Sequence, residues 1–217
     1  MLETLNSSQI IALLGNIAAN LQRRKEWLTQ LDSVAGDGDL GVTMTIGFSA
    51  IVKEMENLSN ETVGNLLFKA GIALNRAAPS TLGTLLATAF MRAGREVKTN
   101  PAVGLDELVS MAKAAMQGIM ERGGAKPGDK TILDAFMPAV QAMEKAAGGG
   151  KDILVALEAA LEAARDGMKA TEAMRPAVGR ASWIADRSLG NPDPGAGALV
   201  VILEGAVEYC RAISGEG

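Results

Sequence analysis

Leu31-Asp32-Ser33-Val34-Ala35-Gly36-Asp37-Gly38-Asp39-Leu40-Gly41 is a short, glycine-broken connector that carries three carboxylates. Upstream of it, Ile10, Leu13, Leu14, Ile17 and Leu21 follow the i, i+3, i+4, i+7, i+11 spacing of one helical face, and Ser7 or Ser8 can cap its start. This spacing predicts a first helix running to about Gln30. Downstream, a second helix starts near Gly41 and carries Met44, Ile46, Phe48, Ile51, Val52 and Met55. The connector therefore reads as a loop between two rigid elements, where binding groups tend to sit.

The same alternation continues outward. Ser59 or Asn60 reads as a cap before Val63, Leu66, Leu67, Ala70 and Leu74. Pro79 punctuates a break, and helix resumes from Leu82 to about Arg95. After the connector Lys98-Thr99-Asn100-Pro101, a fifth helix places Leu108, Ala112, Ala115, Met116 and Ile119 on one face. Residues 123–129 end it. A sixth helix starts near Lys130 or Thr131 and contains Pro138, which predicts a kink or a tight first turn. A seventh follows Gly148-Gly149-Gly150, with Ile153, Leu157, Leu161, Ala164 and Met168 in a stripe. A short helical piece over residues 181–188, a turn over 190–195 and a last helix from Ala196 to about Ile213 complete the chain.

The reading is all-α: roughly eight helices, no strand, and short loops that favour an up-and-down antiparallel bundle or barrel. Residues 1–217 read as one domain, without a linker or internal repeat. Alternate connections of such an array lie at one end. The aspartate loop, the Pro79 break, the Gly128 loop and the Asp193 turn are spaced so that all four can gather there.

Composition narrows the chemistry. Hydrophobic residues make up 48% but aromatic residues only 3%, so the core rests on Ala, Leu, Ile, Val and Met. A net charge of −4 without a basic block argues against a nucleic-acid surface. No basic leader and no apolar run of about 18 residues argue for a cytoplasmic chain without membrane insertion. Cys210 is alone, which excludes an intrachain disulfide. There is no histidine at all, which removes Ser-His-Asp and Cys-His catalysis and His-ligated metals from this chain. Carboxylates, hydroxyls, backbone dipoles, Arg/Lys and metal ions remain.

Asp32, Asp37 and Asp39 offer only oxygen ligands, a set suited to Mg²⁺ or Ca²⁺ rather than zinc. An EF-hand does not fit: counting from Asp37, Val42 stands where glycine is needed and Phe48 where glutamate is needed. Two Mg²⁺ bridging a nucleotide polyphosphate would relieve the repulsion among the three charges; a polar turn with an aspartate cap is the plain alternative. Gly128-Asp129-Lys130-Thr131 resembles the end of a P-loop but misses its pattern, and a turn at a helix start is the better reading. Arg180 can serve a phosphate bidentately or pair with Asp186 or Asp193. Cys210 lies in an apolar helical pattern and reads as an inert, packed thiol.

Three blocks carry a resemblance to a known family. They are Leu31-Asp32 with Gly36-Asp37-Gly38-Asp39 and Gly41; Pro127-Gly128-Asp129-Lys130-Thr131 with Asp134; and Gly179-Arg180-Ala181-Ser182 with Arg187-Ser188, Gly190 and Asp193-Pro194-Gly195-Ala196. At this spacing the chain resembles, over nearly its whole length, the L subunit (DhaL or DAK2-type nucleotide-binding domain) of dihydroxyacetone kinases. The resemblance implies an eight-helix barrel that holds ATP or tightly bound ADP at one end. It further implies two Mg²⁺ ligated by Asp32, Asp37 and Asp39, which act in catalysis through the metal. Gly41, Thr43, Ser80, Thr81, Gly123, Ile132, Arg180, Asp193, Pro194 and Gly195 would contact the nucleotide. The implied partners are a K-type subunit that holds the ketose through its own histidine and a phosphotransferase-system phosphoryl donor.

Two departures mark a divergent member. Leu40 stands where the family usually has histidine. Ala78-Pro79-Ser80-Thr81 replaces a longer glycine-rich loop near the phosphates. The sequence therefore supports a Mg²⁺-dependent phosphotransferase subunit first, and a non-catalytic nucleotide-binding regulator second.

Overall fold

The computed structural model describes residues 1–178 and 185–215. In chain order the elements are β1 (Thr4–Asn6), α1 (Ser7–Arg23), α2 (Lys25–Ser33), α3 (Leu40–Glu54), α4 (Val63–Ala77) and α5 (Thr81–Glu96). Then come β2 (Ala102–Gly104), α6 (Leu105–Gly123), α7 (Leu133–Gly148), α8 (Ile153–Ala170), α9 (Ala185–Ser188) and α10 (Pro194–Ser214). Among the described residues eight of these helices are long, and α2 and α9 are short.

The long helices form a closed ring. α1 packs on α3, each of α3 to α7 on the next, α8 on α10, and α10 back on α1. The fold is thus an all-α, up-and-down eight-helix barrel. Leu21, Met44, Phe48, Leu66, Leu74, Ile119, Leu133 and Ile153 fill its interior, each essentially inaccessible to solvent. A core with so few rings closes by bringing backbones together. A Cβ on Gly64 would lie 2.5 Å from the Gly94 carbonyl oxygen, and one on Gly94 would lie 2.6 Å from that of Gly64. Only hydrogen at both positions lets α4 and α5 touch.

The two ends differ. At one end β1 pairs antiparallel with β2, Ser7 Oγ donates to the Glu61 carbonyl at 2.6 Å, and the Ile153 N–H donates to the Leu2 carbonyl at 3.1 Å. These contacts tie the starts of α1, α4, α6 and α8 together. The starts of α3, α5, α7 and α10 consequently lie at the other end.

The β1–β2 pair corrects the expectation of no strand. Each strand has three residues, too short for an alternation to register, and the pair is fixed by burial of Leu5 and Val103. The first predicted helix is also two. It breaks at Arg24, whose N–H still donates to the Asn20 carbonyl but whose backbone leaves the helical region at φ −99°, ψ 9°. The apolar spacing runs across the break from Leu21 to Leu28, both buried, so periodicity cannot reveal it. The last helix starts at Pro194, two residues earlier than predicted, with Asp193 as its cap. Pro138 lies inside α7 and cannot donate to the Asp134 carbonyl; Gly167 of α8 packs there, where a Cβ would come within 2.3 Å of that oxygen.

No helix among the described residues is long and apolar enough to cross a membrane. Cys210 is fully buried in α10, and burial pushes its thiol up to about 11. Ellman's reagent at pH 8 is therefore expected to leave the native chain unlabelled and to titrate one thiol after unfolding. Fast labelling of the native chain would contradict the packing.

Candidate functional site

All four connections at the end where α3, α5, α7 and α10 begin line one open cleft of about 700 Å³. Asp32, Asp37 and Asp39 stand at one wall, Ala78 to Leu82 at another, and Lys130 to Leu133 with Asn191 to Gly195 at a third. The positive dipole ends of four helices thus meet there, a setting that favours a polyanion.

The aspartate loop is built by α2 and glycine. Asp32 sits in the last turn of α2 and is half-buried, while Asp37 and Asp39 are exposed; one carboxylate oxygen of each lies within 4.8 Å of the others. Asp32 is the organising member, accepting the Asp39 N–H on Oδ2 at 3.1 Å. Burial pushes its carboxyl above the usual carboxylate range and the Asp37 charge pushes the same way, against the N–H groups of Leu40, Gly38 and Asp39. Gly36 leaves room for that carboxylate: a Cβ there would lie 2.0 Å from Asp32 Oδ1 and 2.8 Å from the Asp32 carbonyl oxygen. Gly38 takes φ +73°, a left-handed turn that brings Asp37 and Asp39 back toward Asp32. Three hard oxygen donors so close, at least one destabilised as an anion, fit divalent Mg²⁺.

The other sequence-predicted residues divide. Thr43, Ser80, Thr81, Gly123, Ile132, Asp193, Pro194 and Gly195 all line the cleft. Ser80 Oγ already accepts the Gly83 N–H at 3.0 Å as the cap of α5, which leaves its hydroxyl proton to donate. Gly41 does not line the cleft. It packs against α2, where a Cβ would lie 2.1 Å from the Lys25 carbonyl oxygen, so its observed part is to let α3 start beside the aspartate loop. Leu40 lines the cleft but is packed into the core. Arg180 lies outside the described residues.

Lys130 and Thr171 stand out only in three dimensions. Lys130 is buried at φ +58°, and its ammonium meets three backbone carbonyls of the chain between α8 and α10. Thr171 Oγ1 accepts the Asp193 N–H at 2.8 Å. A lysine after Gly-Asp was the available sequence signal for the first, and nothing in the sequence marks the second. Asp134 caps the turn beside them, its carboxylate accepting the Gly128 N–H and, at 2.7 Å, the Thr131 N–H.

Asp193 accepts the Ala196 N–H at 2.7 Å as the cap of α10. Burial pushes its carboxyl up to about 7, and nearby Asp134 adds to the rise, while the Ala196 N–H and the Lys130 ammonium oppose it. An acid raised in the fold keeps a proton that the unfolded chain has lost. Its contribution is therefore present below the ordinary value of 3.8 and is lost as pH rises to about 7. Urea midpoints across this range are expected to fall with pH in the wild type and to flatten in Asp193→Asn; parallel profiles would contradict the assignment.

Residues 34–208 match the DAK2 domain. The chain belongs to the DAK2-domain family. Among DAK2 relatives, it is 32% identical over 201 residues to the ADP-binding subunit DhaL of the PEP-dependent dihydroxyacetone kinase of Escherichia coli K12, covering 93% of this chain and 96% of that subunit. It is also 32% identical over 203 residues to a D-erythrulose kinase of Mycolicibacterium smegmatis, covering 93% of this chain but 35% of that enzyme. The crystal structure of the dihydroxyacetone kinase from C. freundii in complex with AMP-PNP and Mg²⁺ superposes with a TM-score of 0.71 at 24% identity, covering 96% of this chain and 35% of that one. This superposition gives the DAK2 barrel its fold-level counterpart.

Proposed function

We propose that this chain is the nucleotide-binding subunit of a dihydroxyacetone or related short-ketose kinase. The observation that carries the reading is the convergence of Asp32, Asp37 and Asp39 with four helix N-termini around one cleft. The similarity to an ADP-binding kinase subunit over nearly the whole of both chains supports it.

In this reading the three aspartates hold two Mg²⁺ ions, which neutralise the charge of the phosphates and align them for in-line transfer. Thr43, Ser80 and Thr81 hydroxyls, Arg180 and the start of α10 at Asp193-Pro194-Gly195 orient the nucleotide, with Gly123 and Ile132 beside it. ATP serves directly, or bound ADP is rephosphorylated in place by a phosphotransferase-system protein. A K-type subunit presents the ketose hydroxyl. Its oxygen attacks the γ-phosphorus as the bond to the ADP oxygen breaks, and the hydroxyl proton passes to a base of that partner.

The test mixes the purified chain, a K-type partner and dihydroxyacetone or erythrulose with either Mg·ATP or Mg·ADP plus a phosphorylated phosphotransferase-system protein, and follows sugar phosphate. Product from the mixture and from neither protein alone is expected. Nucleotide binding without any transfer would favour the regulatory reading, to which the buried Leu40 and the short Ala78-Pro79-Ser80-Thr81 connection point. No nucleotide binding would overturn both.

A further inference from the structure

Lys130 is the one lysine among the described residues that lies fully inside the protein. Its Nζ donates to the carbonyls of Ser188 at 2.6 Å, Asn191 at 2.9 Å and Met174 at 3.2 Å. An ammonium has three protons, and all three are used, so in this arrangement none remains for a phosphate. The three acceptors lie on both sides of residues 179–184, in the chain that joins α8 to α10. Pro176, Val178, Ser188 and Asn191 of that chain line the cleft.

We propose that Lys130 is the positioning residue of the cleft, a clasp whose ammonium fastens both ends of this wall to the loop before α7. The inference rests on the nucleotide-binding reading above and assigns Lys130 a part apart from the phosphates. Neighbouring backbone contacts add to the fastening. The Ala177 N–H donates to the Asp129 carbonyl at 3.1 Å, and the Gly190 N–H to the Glu172 carbonyl at 2.9 Å. The first ties one side to the loop before α7 and the second joins the two sides to each other, whereas the ammonium ties both sides to that loop. Burial lowers the lysine's affinity for its proton, and the charges of Asp193 and Glu172 restore part of it. Without the ammonium, the Met174 and Asn191 carbonyls lose their donor at once and the Ser188 carbonyl keeps the Asn191 N–H, so the wall must open to water to satisfy the first two. Asp193, two residues beyond Asn191, moves with the wall.

Hydrogen exchange and Mg·ADP binding of the intact chain test this in Lys130→Met, with Leu154→Ala as control. Leu154 is buried near the start of α8, at the opposite end of the barrel, so its truncation lowers global stability without touching the cleft. Lys130→Met is expected to speed exchange of the Ala177, Gly190 and Asp193 amides by roughly tenfold or more, with the barrel helices unchanged. Its Mg·ADP Kd should rise by about tenfold or more, as supporting-shell losses do. The control should do neither at an equal loss of Tm. Wild-type exchange in the variant, an unchanged Kd in an opened wall, or a control that matches the variant would each overturn the clasp. If Lys130→Met does not fold, competitive acylation of the wild type decides: Lys130 labelling as fast as exposed Lys53 overturns it, and strong protection of Lys130 in the native chain that is lost on unfolding in urea supports it. A wild-type chain that binds no Mg·ADP overturns the functional reading, while the exchange comparison still decides the clasp.

Discussion

Asp32→Asn is expected to abolish Mg²⁺-dependent nucleotide binding while leaving the metal-free barrel intact. Asparagine keeps the shape and can still accept the Asp39 N–H, so the loop retains its main internal bond. What disappears is the charge, at the most enclosed of three converging oxygens. Loss of a partner one step removed from a metal already costs about 10–100-fold in affinity, so loss of a direct ligand should exceed roughly 100-fold. Calorimetry with ADP in Mg²⁺ reads this directly. Melting in EDTA supplies the complementary half: with the repulsion between Asp32 and Asp37 removed, the variant should melt at or above the wild-type temperature. Saturating Mg·ADP, at about 100 times Kd, should add roughly 2.7 kcal/mol to the wild type and almost nothing to the variant. A variant that binds as tightly as wild type would remove Asp32 from the site.

Gly36→Ala is expected to reach the same end by a steric route. Its methyl would collide with Asp32 Oδ1 and also with the Asp32 backbone carbonyl, so a rotation of the carboxylate alone does not relieve it. The loop must shift and draw Asp32 away from Asp37 and Asp39. Overpacking of this kind costs about 1–3 kcal/mol, and the displaced ligand should raise the Mg·ADP Kd by roughly 100-fold. Binding of nucleotide without metal should change far less, which separates a moved ligand from a collapsed cleft. Equal losses with and without Mg²⁺ would contradict this geometry.

The helices and the aspartates were legible for a plain reason: both are local. Ile10, Leu14, Ile17 and Leu21 declare a helical face within one stretch, and Asp32, Asp37 and Asp39 fall within eight residues of chain. The meeting of four loops at one end follows from helix count and short connections alone. What stayed hidden depends on partners distant in sequence. The β1–β2 pair joins residues about a hundred positions apart, and neither strand is long enough to show a period. Lys130 reads as part of a turn until Met174, Ser188 and Asn191 are found around its ammonium. The close approach of the Lys25 carbonyl to Gly41 is likewise invisible in the sequence. The break at Arg24 was masked by an apolar spacing that continues through it. Arg180 is carried by the sequence alone.

In the proposed function the aspartate loop is a two-metal clamp for a nucleotide. Crystals of the chain grown with Mn²⁺ and ADP test it most directly, because manganese scatters anomalously and takes oxygen ligands as magnesium does. Two anomalous peaks about 3.5–4 Å apart, ligated by Asp32, Asp37 and Asp39 and bridged by phosphate oxygens, are the predicted result. Nucleotide density in the cleft with no manganese at these three carboxylates would contradict it.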